Sequence, residues 1–269
     1  MKSVLIFDSG VGGLSVYQEI RQLLPELHYV YAFDNAAFPY GELDETVLIN
    51  RTQEIVSRLV EKHNVDLVVI ACNTASTVVL PSLRTLVNIP VVGVVPAIKP
   101  AAAMSERKVI GLLATPATVK RRYTQDLIAE FAQDCEVLMI GSTRLVEIAE
   151  QKLRGEAVSI EEIQHILSPW LNKVDGIVLG CTHFPLLKDE IQQAFSSPVQ
   201  IIDSGKAIAN RVQALLGAQQ TYSSREKSSN SEVANVTYNS AASQHEAALN
   251  VCLEKLGLSP IQCLDFPHS

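Results

Sequence analysis

The sequence predicts an α/β fold: two pseudo-symmetric α/β domains with mostly parallel sheets and an active site in the cleft between them. Apolar, β-branched runs alternate with helical patterns, and this order begins again in the second half of the chain. One stretch also occurs twice. Residues 65–77 read VDLVVIACNTAST and residues 174–187 read VDGIVLGCTHFPLL, and the two align without a gap, so that Cys72 matches Cys181.

The first half of the chain supplies four predicted strands and three predicted helices. The strands are short apolar runs, and they end near residues 7, 34, 71 and 96. The helices carry apolar residues at a helical period, and they reach about residues 24, 63 and 87. Between the second strand and the second helix, the composition of residues 38–41, FPYG, predicts a turn. A linker is expected near residues 94–100.

The second half repeats this order. A strand at residues 109–113 is followed by a helix, a strand at residues 136–141, a helical region through Trp170 and the second copy of the repeated stretch. The run PVQIIDSG then takes the place of the last strand of the first half. A second linker is expected near residues 203–206.

The chain closes with a predicted helix at residues 207–216, a polar loop at residues 217–235 and a strand–helix–strand tail. Three elements cannot form a core of their own, so the tail is expected to pack on the first α/β unit. We therefore predict a first domain of residues 1–96 plus 207–269 and a second domain of residues 97–206.

The composition is that of an ordinary globular protein of 269 residues, with 47% hydrophobic and 19% charged residues. The formal net charge of -7 argues against nucleic acid or an anionic membrane as a partner. No apolar run is long enough to span a bilayer, and the first residues, MKSVLIFDSG, lack the cleavage site of a signal peptide. These observations predict a cytoplasmic location.

A glycine loop follows the first strand, where residues 8–13 read DSGVGG before a helical pattern. A strand, a glycine loop and a helix N-terminus together present backbone N–H groups to an anion. A dinucleotide site is the alternative, because Gly10 and Gly12 match the first two glycines of GxGxxG. Against it, Ser15 occupies the third glycine position, and Asp8 would point a carboxylate toward the pyrophosphate.

The five cysteines are an odd number without CxxC spacing, so neither a disulfide framework nor a zinc site is indicated. Cys135, Cys252 and Cys263 lack a strand-end context and are expected to be packing or incidental residues. Cys72 and Cys181 each follow a predicted buried strand and precede a predicted helix, where open α/β folds bind ligands. Their recurrence at one register suggests two thiols that face one ligand from opposite sides.

A strand-end cysteine can serve in packing, as a nucleophile, or as an acid and base. A nucleophile normally needs one thiol with a base nearby, and His183 lies two residues after Cys181. Two paired thiols fit better a reaction that moves a proton from one face of a carbon to the other, because one face needs a base and the other an acid. A thiol pKa of about 8.5 allows both states, and a helix N-terminus is expected to lower it.

Five motifs, in order, resemble the glutamate racemases of the cofactor-independent aspartate/glutamate racemase superfamily. They are FDSGVGG, FPYGE, ACNTAS, LLAT and LGCTHFPLL, and they span almost the whole chain. The resemblance implies a racemase that converts L-glutamate to D-glutamate for peptidoglycan synthesis, with no cofactor and no metal. It implies a small-molecule substrate and leaves a homodimer open as the assembly. Aspartate or another amino acid is the alternative substrate.

The resemblance also implies roles for individual residues. Cys72 would abstract the α-proton of D-glutamate with support from Asp8, and Cys181 that of L-glutamate with support from His183. The ammonium and α-carboxylate of the substrate would be held by Ser9, Asn73, Thr74 and Thr182. The remainder of the pocket would be lined by Pro39, Tyr40, Gly41, Thr115 and Thr118.

Two candidates compete for an accessory acid beside the second thiol. Glu147 matches the position that the family uses, but Arg144 stands where a proline commonly precedes that acid by three residues. Glu150 is the other candidate.

Blander interpretations remain for several of these residues. Asp8, Ser9 and Thr74 could simply cap helices, and His183 could be a core histidine. The duplicated halves could also form a binding protein that closes on an acidic amino acid without reacting. Such a binder would have no use for both thiols.

Overall fold

The computed structural model describes residues 1–220, 234–243, 246–264 and 266. The strands within this part of the chain are β1 (Ser3–Asp8), β2 (His28–Phe33), β3 (Leu67–Ile70), β4 (Val91–Gly93), β5 (Val109–Ala114), β6 (Glu136–Gly141), β7 (Gly176–Leu179), β8 (Gln200–Ile202), β9 (Val236–Asn239) and β10 (Ile261–Cys263). The α-helices are α1 (Leu14–Leu23), α2 (Glu45–His63), α3 (Asn73–Leu86), α4 (Ile98–Met104), α5 (Pro116–Lys120), α6 (Arg122–Phe131), α7 (Arg144–Leu153), α8 (Ile160–Leu167), α9 (Lys188–Gln193), α10 (Gly205–Gln220) and α11 (Glu246–Lys255).

The strands form two sheets with matching order. The first sheet runs β10-β9-β2-β1-β3-β4, and the second runs β6-β5-β7-β8. Every strand pair described in the two sheets is parallel. The part β2-β1-β3-β4 of the first sheet therefore corresponds to the whole second sheet, as expected for a duplicated α/β unit. The predicted fold class is confirmed.

The pairing register extends this correspondence to single residues. Ile70 of β3 pairs with Phe7 of β1, and Leu179 of β7 pairs with Leu113 of β5. Each of the two repeated cysteines lies two residues beyond the last paired residue of its strand. Because parallel strands end at a common edge, the two thiols occupy equivalent places at the carboxyl edges of the two sheets.

Hydrophobic cores cover both faces of each sheet. Along β1, Val4 and Ile6 pack into the core that contains α1 and α10, whereas Leu5 and Phe7 pack into the core that contains α2 and α3. In the second sheet, one core is built around Trp170 and the other lies against α4 and α6. Burial on both faces explains why these strands are continuous apolar runs rather than alternating ones.

The C-terminal strands extend the first sheet, since β9 pairs with β2 and β10 pairs with β9. This is where the sequence expects the tail to pack. No helix of the described residues has the length and apolar character needed to cross a membrane.

Several segments differ from the prediction. Strand β4 ends at Gly93 rather than near residue 96, and the helical region predicted through Trp170 is divided into α7 and α8. Residues 98–104 form α4 rather than the end of a linker, because Ile98 and Ala101 are buried against the second sheet. The helix predicted at residues 207–216 continues to Gln220 as α10, so Gly217 is helical instead of opening a loop. The rest of that predicted loop, from 221 to 233, lies outside the described residues.

Candidate active site

The two repeated cysteines line one cavity between the carboxyl edges of the two sheets. Cys72 and Cys181 are 6% and 7% exposed. The other lining residues come from both halves of the chain: Asp8, Pro39, Gly41, Glu42, Asn73, Thr74, Thr115, Thr143, Val146, Thr182 and His183. The structure thus brings the two thiols together with most of the residues that the sequence proposes around them.

Cys72 is the N-cap of α3, and its sulfur accepts the N–H of Ala75 at 3.5 Å. The hydroxyl of Ser9 lies 3.8 Å from the same sulfur. Burial raises the pKa of the Cys72 thiol, and the nearby Asp8 carboxylate raises it further. The bond from Ala75 at the helix N-terminus lowers the pKa of this thiol, as expected, but desolvation outweighs it and the net shift is upward.

Asp8, the last residue of β1, is fully buried between the two halves of the site. Its Oδ1 accepts the N–H of Ser9 at 2.6 Å, and its Oδ2 accepts the hydroxyl of Thr182 at 3.0 Å. Burial raises the pKa of Asp8, although the charge of His183 and these hydrogen bonds act in the opposite direction. Asp8 is consequently a carboxyl group whose ionised form is disfavoured by its surroundings.

The second thiol lies against a buried ion pair. Cys181 Sγ is 3.8 Å from His183 Nδ1, and His183 Nε2 is 2.8 Å from Glu150 Oε1. Burial alone would lower the pKa of His183, but its bonds to Cys181 and Glu150 prevail and raise that pKa well above the ordinary value. Burial alone would raise the pKa of Glu150, but the bond to His183 and the other contacts of the carboxylate lower it. The imidazole and the carboxylate therefore hold each other in their charged forms.

The glycine loop after β1 receives this carboxylate. The backbone N–H of Val11 donates to Glu150 Oε1 at 2.9 Å. A side chain at Gly10 would collide with Glu150 and Phe38, and a side chain at Gly12 would collide with the ring of His183. The anion that the sequence predicts at this helix N-terminus is thus the protein's own Glu150, and the glycines permit its close approach. The dinucleotide alternative is excluded at this position, because the loop is occupied.

Glu147 and Glu150 lie on the same helix, α7, but have opposite environments. The side chain of Glu147 is 51% exposed and forms an ion pair with Arg144 at 3.0 Å. The side chain of Glu150 is 8% exposed and contacts His183. The expected placement of Glu147 beside the second thiol is corrected accordingly, since Glu150 occupies that place.

Three threonine hydroxyls form a cluster beside the cavity. Thr74 Oγ1 lies 3.3 Å from the Oγ1 atoms of both Thr115 and Thr118, and these two are 2.9 Å apart. Thr118 does not line the cavity, and its hydroxyl contacts the lining residues Thr74 and Thr115 instead. Nearby, the side-chain oxygen of Asn73 is buried without a hydrogen-bond partner among the described residues. The cluster and this oxygen can donate to and accept from a polar ligand.

The turn after β2 contributes only some of the residues that the sequence predicts for the cavity lining. Pro39 and Gly41 line the cavity, but the Tyr40 side chain does not. Its hydroxyl donates to Asp34 at 2.7 Å, and its ring packs on Phe7 with centroids 6.3 Å apart. The expectation that Tyr40 lines the pocket is therefore wrong for its side chain, which is directed into the core.

Sequence reasoning missed four residues of the site. Glu42, Thr143 and Val146 line the cavity, and Arg154 donates to Glu150 Oε2 at 2.8 Å. Glu42 is the last residue of the motif FPYGE, and Thr143 lies two residues after the end of β6, where a strand-end rule would have found it. Arg154 caps the C-terminus of α7, four residues after Glu150, a spacing that favours an ion pair.

The cavity between the thiols is narrow, with a volume of about 20 Å³, which is space for about one water molecule. A larger cavity of about 340 Å³ adjoins it and is also lined by Asn73, Cys181 and Thr182, but Cys72 does not line it. A ligand as large as an amino acid that contacts both thiols therefore requires the two sides of the narrow cavity to move apart. Among the described residues, no group of three or more His, Cys, Asp or Glu side chains could hold a metal ion.

The fold and the site together define a two-sheet α/β protein with two opposed thiols in one interior cavity. A family model described as Asp/Glu/Hydantoin racemase matches residues 4–212. The chain belongs to the Asp/Glu/hydantoin racemase family.

Similar proteins cover almost the whole chain. It is 60% identical over 261 residues to a glutamate racemase of Vibrio parahaemolyticus, which covers 97% of this chain and 94% of the relative. Among solved structures, glutamate racemase of Escherichia coli in complex with L-glutamate and the activator UDP-MurNAc-Ala superimposes with a TM-score of 0.92 at 48% identity, covering 99% of each chain. The isoform RacE1 of glutamate racemase from Bacillus anthracis gives a TM-score of 0.82 at 25% identity, covering 100% of this chain and 99% of the other.

Proposed function

We propose that this protein interconverts L-glutamate and D-glutamate by moving the α-proton between Cys72 and Cys181, without a cofactor. The observation that carries the proposal is that both thiols, placed by equivalent strands, line one cavity. Relatives at 54 to 60% identity that carry the name glutamate racemase support glutamate as the substrate.

The chemistry needs one thiolate and one thiol at the start of each turnover. In the direction from D- to L-glutamate, the Cys72 thiolate removes the α-proton and becomes a thiol. The Cys181 thiol then donates its proton to the opposite face of the carbanion and becomes a thiolate. The reverse direction exchanges the two roles, as expected for general acid–base catalysis of a nearly symmetric reaction. The pairing of each thiol with one enantiomer follows from the family resemblance.

Each thiol has a different means of becoming a thiolate. The raised pKa of Asp8 makes its carboxylate a better proton acceptor, and Asp8 lines the same cavity as Cys72, near enough for its charge to act on that thiol. Cys181 lies beside His183, which Glu150 keeps charged, and a neighbouring imidazolium stabilises a thiolate. The two sides thus use a proton acceptor and a fixed positive charge, respectively.

The polar groups around the cavity suit an amino acid. The buried oxygen of Asn73 lacks a partner among the described residues and could accept a proton of the substrate ammonium. Thr74 and Thr182 offer hydroxyls beside the two thiols, and the N-terminus of α3 stabilises a carboxylate. Retention of the ammonium and stabilisation of the carboxylate both help the carbanion to form.

The decisive experiment is incubation of the pure protein with L-glutamate in heavy water, followed by chiral separation and mass spectrometry. We expect equal amounts of the two enantiomers at equilibrium, with one deuterium at Cα of each newly formed D-glutamate. L-glutamate that stays unlabelled would identify a binding protein instead. Dialysis against a chelator tests for a metal, and treatment with hydroxylamine tests for a pyridoxal cofactor. We expect the rate of racemisation to be unchanged by both. Loss of activity after either treatment would contradict a reaction without a cofactor.

Substrate preference is tested with aspartate in the same assay. One methylene changes binding by about 1–3 kcal/mol, and here it also moves a carboxylate away from its donors. We expect kcat/KM for aspartate to be lower by at least about tenfold. Equal values for the two substrates would reassign the protein to a broader amino-acid racemase.

The proposed function carries three further expectations. The enzyme would act in the cytoplasm and supply D-glutamate for peptidoglycan. Its domains would be residues 1–96 plus 207–269 and residues 97–206, a division supported by the two separate sheets. A homodimer is the assembly to be tested, and sedimentation analysis of the pure protein measures the oligomeric state.

A further inference from the structure

A buried charged network lies beneath the turn that reaches the cavity. Asp34, immediately after β2, accepts the hydroxyl of Tyr40 at 2.7 Å. It also accepts two bonds from the guanidinium of Arg51 on α2, at 2.7 and 2.8 Å. All three side chains are buried. A bidentate bond between an arginine and a carboxylate fixes geometry more strictly than a single contact does, so this network holds the Tyr40 hydroxyl at a defined place.

Tyr40 links this network to the cavity. Its chain neighbours Pro39 and Gly41 line the cavity, whereas its own ring points away into the core. Contacts that hold the Tyr40 hydroxyl in place therefore also restrict the backbone at Pro39 and Gly41.

Ser240, Ala241 and Phe266, here called the C-terminal segment, contact this network on the side away from the cavity. Asn35, next to Asp34, donates to the carbonyl of Ala241 at 2.6 Å and accepts the backbone N–H groups of Ser240 and Ala241 at 3.1 and 3.0 Å. The ring of Phe266 is buried and lies 4.9 Å from the guanidinium carbon of Arg51. Chain segments about 200 residues apart in sequence thus meet under the turn.

We propose that Asp34, Arg51 and Phe266 are positioning residues for the turn at residues 38–41, and that the C-terminal segment in this way sets the shape of the substrate cavity. This inference rests on the proposed function, because it assigns the turn to glutamate binding. The backbone N–H of Asp34 also donates to the carbonyl of Asp8 at 3.0 Å, but the Asp34 side chain, together with Arg51 and Phe266, acts on the turn through Tyr40.

The test uses two tyrosine variants that are matched in what they remove. Tyr40→Phe deletes a buried hydroxyl that donates to Asp34, and Tyr29→Phe deletes a buried hydroxyl that donates to the carbonyl of Leu24 at 2.6 Å. Tyr29 lies at the amino end of β2, away from the cavity. We expect Tyr40→Phe to raise KM for glutamate about tenfold with kcat changed less than about threefold, since a displaced turn weakens binding of substrate and transition state alike. Tyr29→Phe is expected to leave both constants within about twofold.

A second pair of variants tests whether the C-terminal segment acts through the same turn. Phe266→Leu is expected to raise KM about threefold in the wild-type background and to have no further effect on KM when Tyr40→Phe is already present. Thermal unfolding of each variant, titrated with glutamate, measures binding independently of turnover.

The outcomes separate the two proposals. If the unaltered protein neither racemises nor binds glutamate, the proposed function is wrong. If it does both but Tyr40→Phe and Tyr29→Phe shift KM equally, the positioning role is wrong. The positioning role is also wrong if Phe266→Leu and Tyr40→Phe raise KM as independent, additive effects.

Discussion

The two thiols occupy equivalent places in the two sheets but have different partners. The register that aligns Cys72 with Cys181 also aligns Asp8 of β1 with Ala114 of β5. Two residues beyond the thiols, Thr74 follows the first and His183 follows the second. The first thiol therefore has a carboxyl group at the end of the neighbouring strand, whereas the second has an imidazole on its own loop.

This difference separates what the fold provides from what the side chains provide. The duplicated strands place two sulfur atoms on opposite sides of one cavity, which a reaction on two faces of one carbon requires. Asp8 has no arginine or lysine partner in the described structure, while His183 forms an ion pair with Glu150. The pair of thiols is nearly symmetric in position and strongly asymmetric in charge, so the two proton transfers need not have equal barriers.

Loss of either thiol is expected to have the largest effect. Cys72→Ser and Cys181→Ser should each lower kcat/KM by about 10²–10⁴-fold in both directions, because a serine hydroxyl is a far weaker base at neutral pH. The measurement is racemisation followed by chiral analysis. Cys135→Ser, at a partly buried cysteine outside the cavity, is the matched control and should retain full activity. A Cys72→Ser or Cys181→Ser enzyme that keeps its rate would remove that residue from the mechanism.

Much of this arrangement could be predicted from the sequence, because it depends on local patterns. Apolar runs with helical segments between them give the strand order, and the repeat of VDLVVIAC in altered form gives the two thiols. The helix α4 was not predictable in the same way, since IKPAAAM has no amphipathic period and is stabilised by packing on the second sheet.

The partners of the thiols depend on contacts between distant segments, which local patterns do not show. Glu147 and Glu150 are three residues apart on one helix, and the sequence does not reveal which one faces His183. The structure resolves this because Glu150 reaches Val11 across the glycine loop, while Glu147 faces solvent with Arg144. The inward side chain of Tyr40 likewise depends on Asp34 and Arg51.

The second prediction concerns the direction-dependence of isotope effects. The enantiomers have equal free energy in water, so no substitution can lower kcat/KM in one direction alone. His183→Asn should lower both by about 10²-fold and make the Cys181 transfer limiting. From L-glutamate, that transfer breaks the substrate's own Cα–H bond, so the deuterium effect of α-labelled substrate on kcat/KM should rise. From D-glutamate, Cys72 breaks that bond in a step that no longer limits, so the effect should shrink.

Asp8→Asn provides the mirror image of this experiment. It weakens the support of Cys72, so the substrate isotope effect should rise from D-glutamate and shrink from L-glutamate. Equal changes in the two directions for both variants would show that Asp8 and His183 do not serve separate thiols.

The third prediction compares Glu150→Gln with Glu147→Gln on the same helix. Glu150→Gln leaves a buried imidazolium without its counter-charge and should lower the free energy of unfolding by about 2 kcal/mol. Glu147→Gln, at an exposed side chain, should change it by less than about 0.5 kcal/mol. Urea unfolding of the two variants against the unaltered protein provides the measurement.

The pH for that comparison follows from the two pKa shifts. The lowered pKa of Glu150 gives stability that is present above its ordinary value of 4.5 and is lost as the pH falls. The raised pKa of His183 gives stability that is present below its ordinary value of 6.5 and is lost as the pH rises. The effect of Glu150→Gln should therefore be greatest between these two values, at about pH 5.5. Equal effects of the two glutamine variants at that pH would contradict the buried ion pair.

The smallest expected effect is a gain in stability from Asp8→Asn, the variant that impairs the reaction. Burial raises the pKa of Asp8 above its ordinary value of 3.8, so the folded state binds this proton more tightly than the unfolded state does. Stability from this group is then fully present below 3.8 and is lost as the pH rises through the folded-state pKa. Asparagine stays uncharged and can still accept a hydrogen bond through its oxygen, so at about pH 8 the variant should be more stable by about 1 kcal/mol. The gain should shrink at about pH 5, which thermal unfolding at the two pH values measures. A variant less stable than the unaltered protein at the higher pH would mean that the contacts with Thr182 and Ser9 fully offset the burial of this carboxylate, and the first thiol would then lie beside a stabilised anion rather than a strained one.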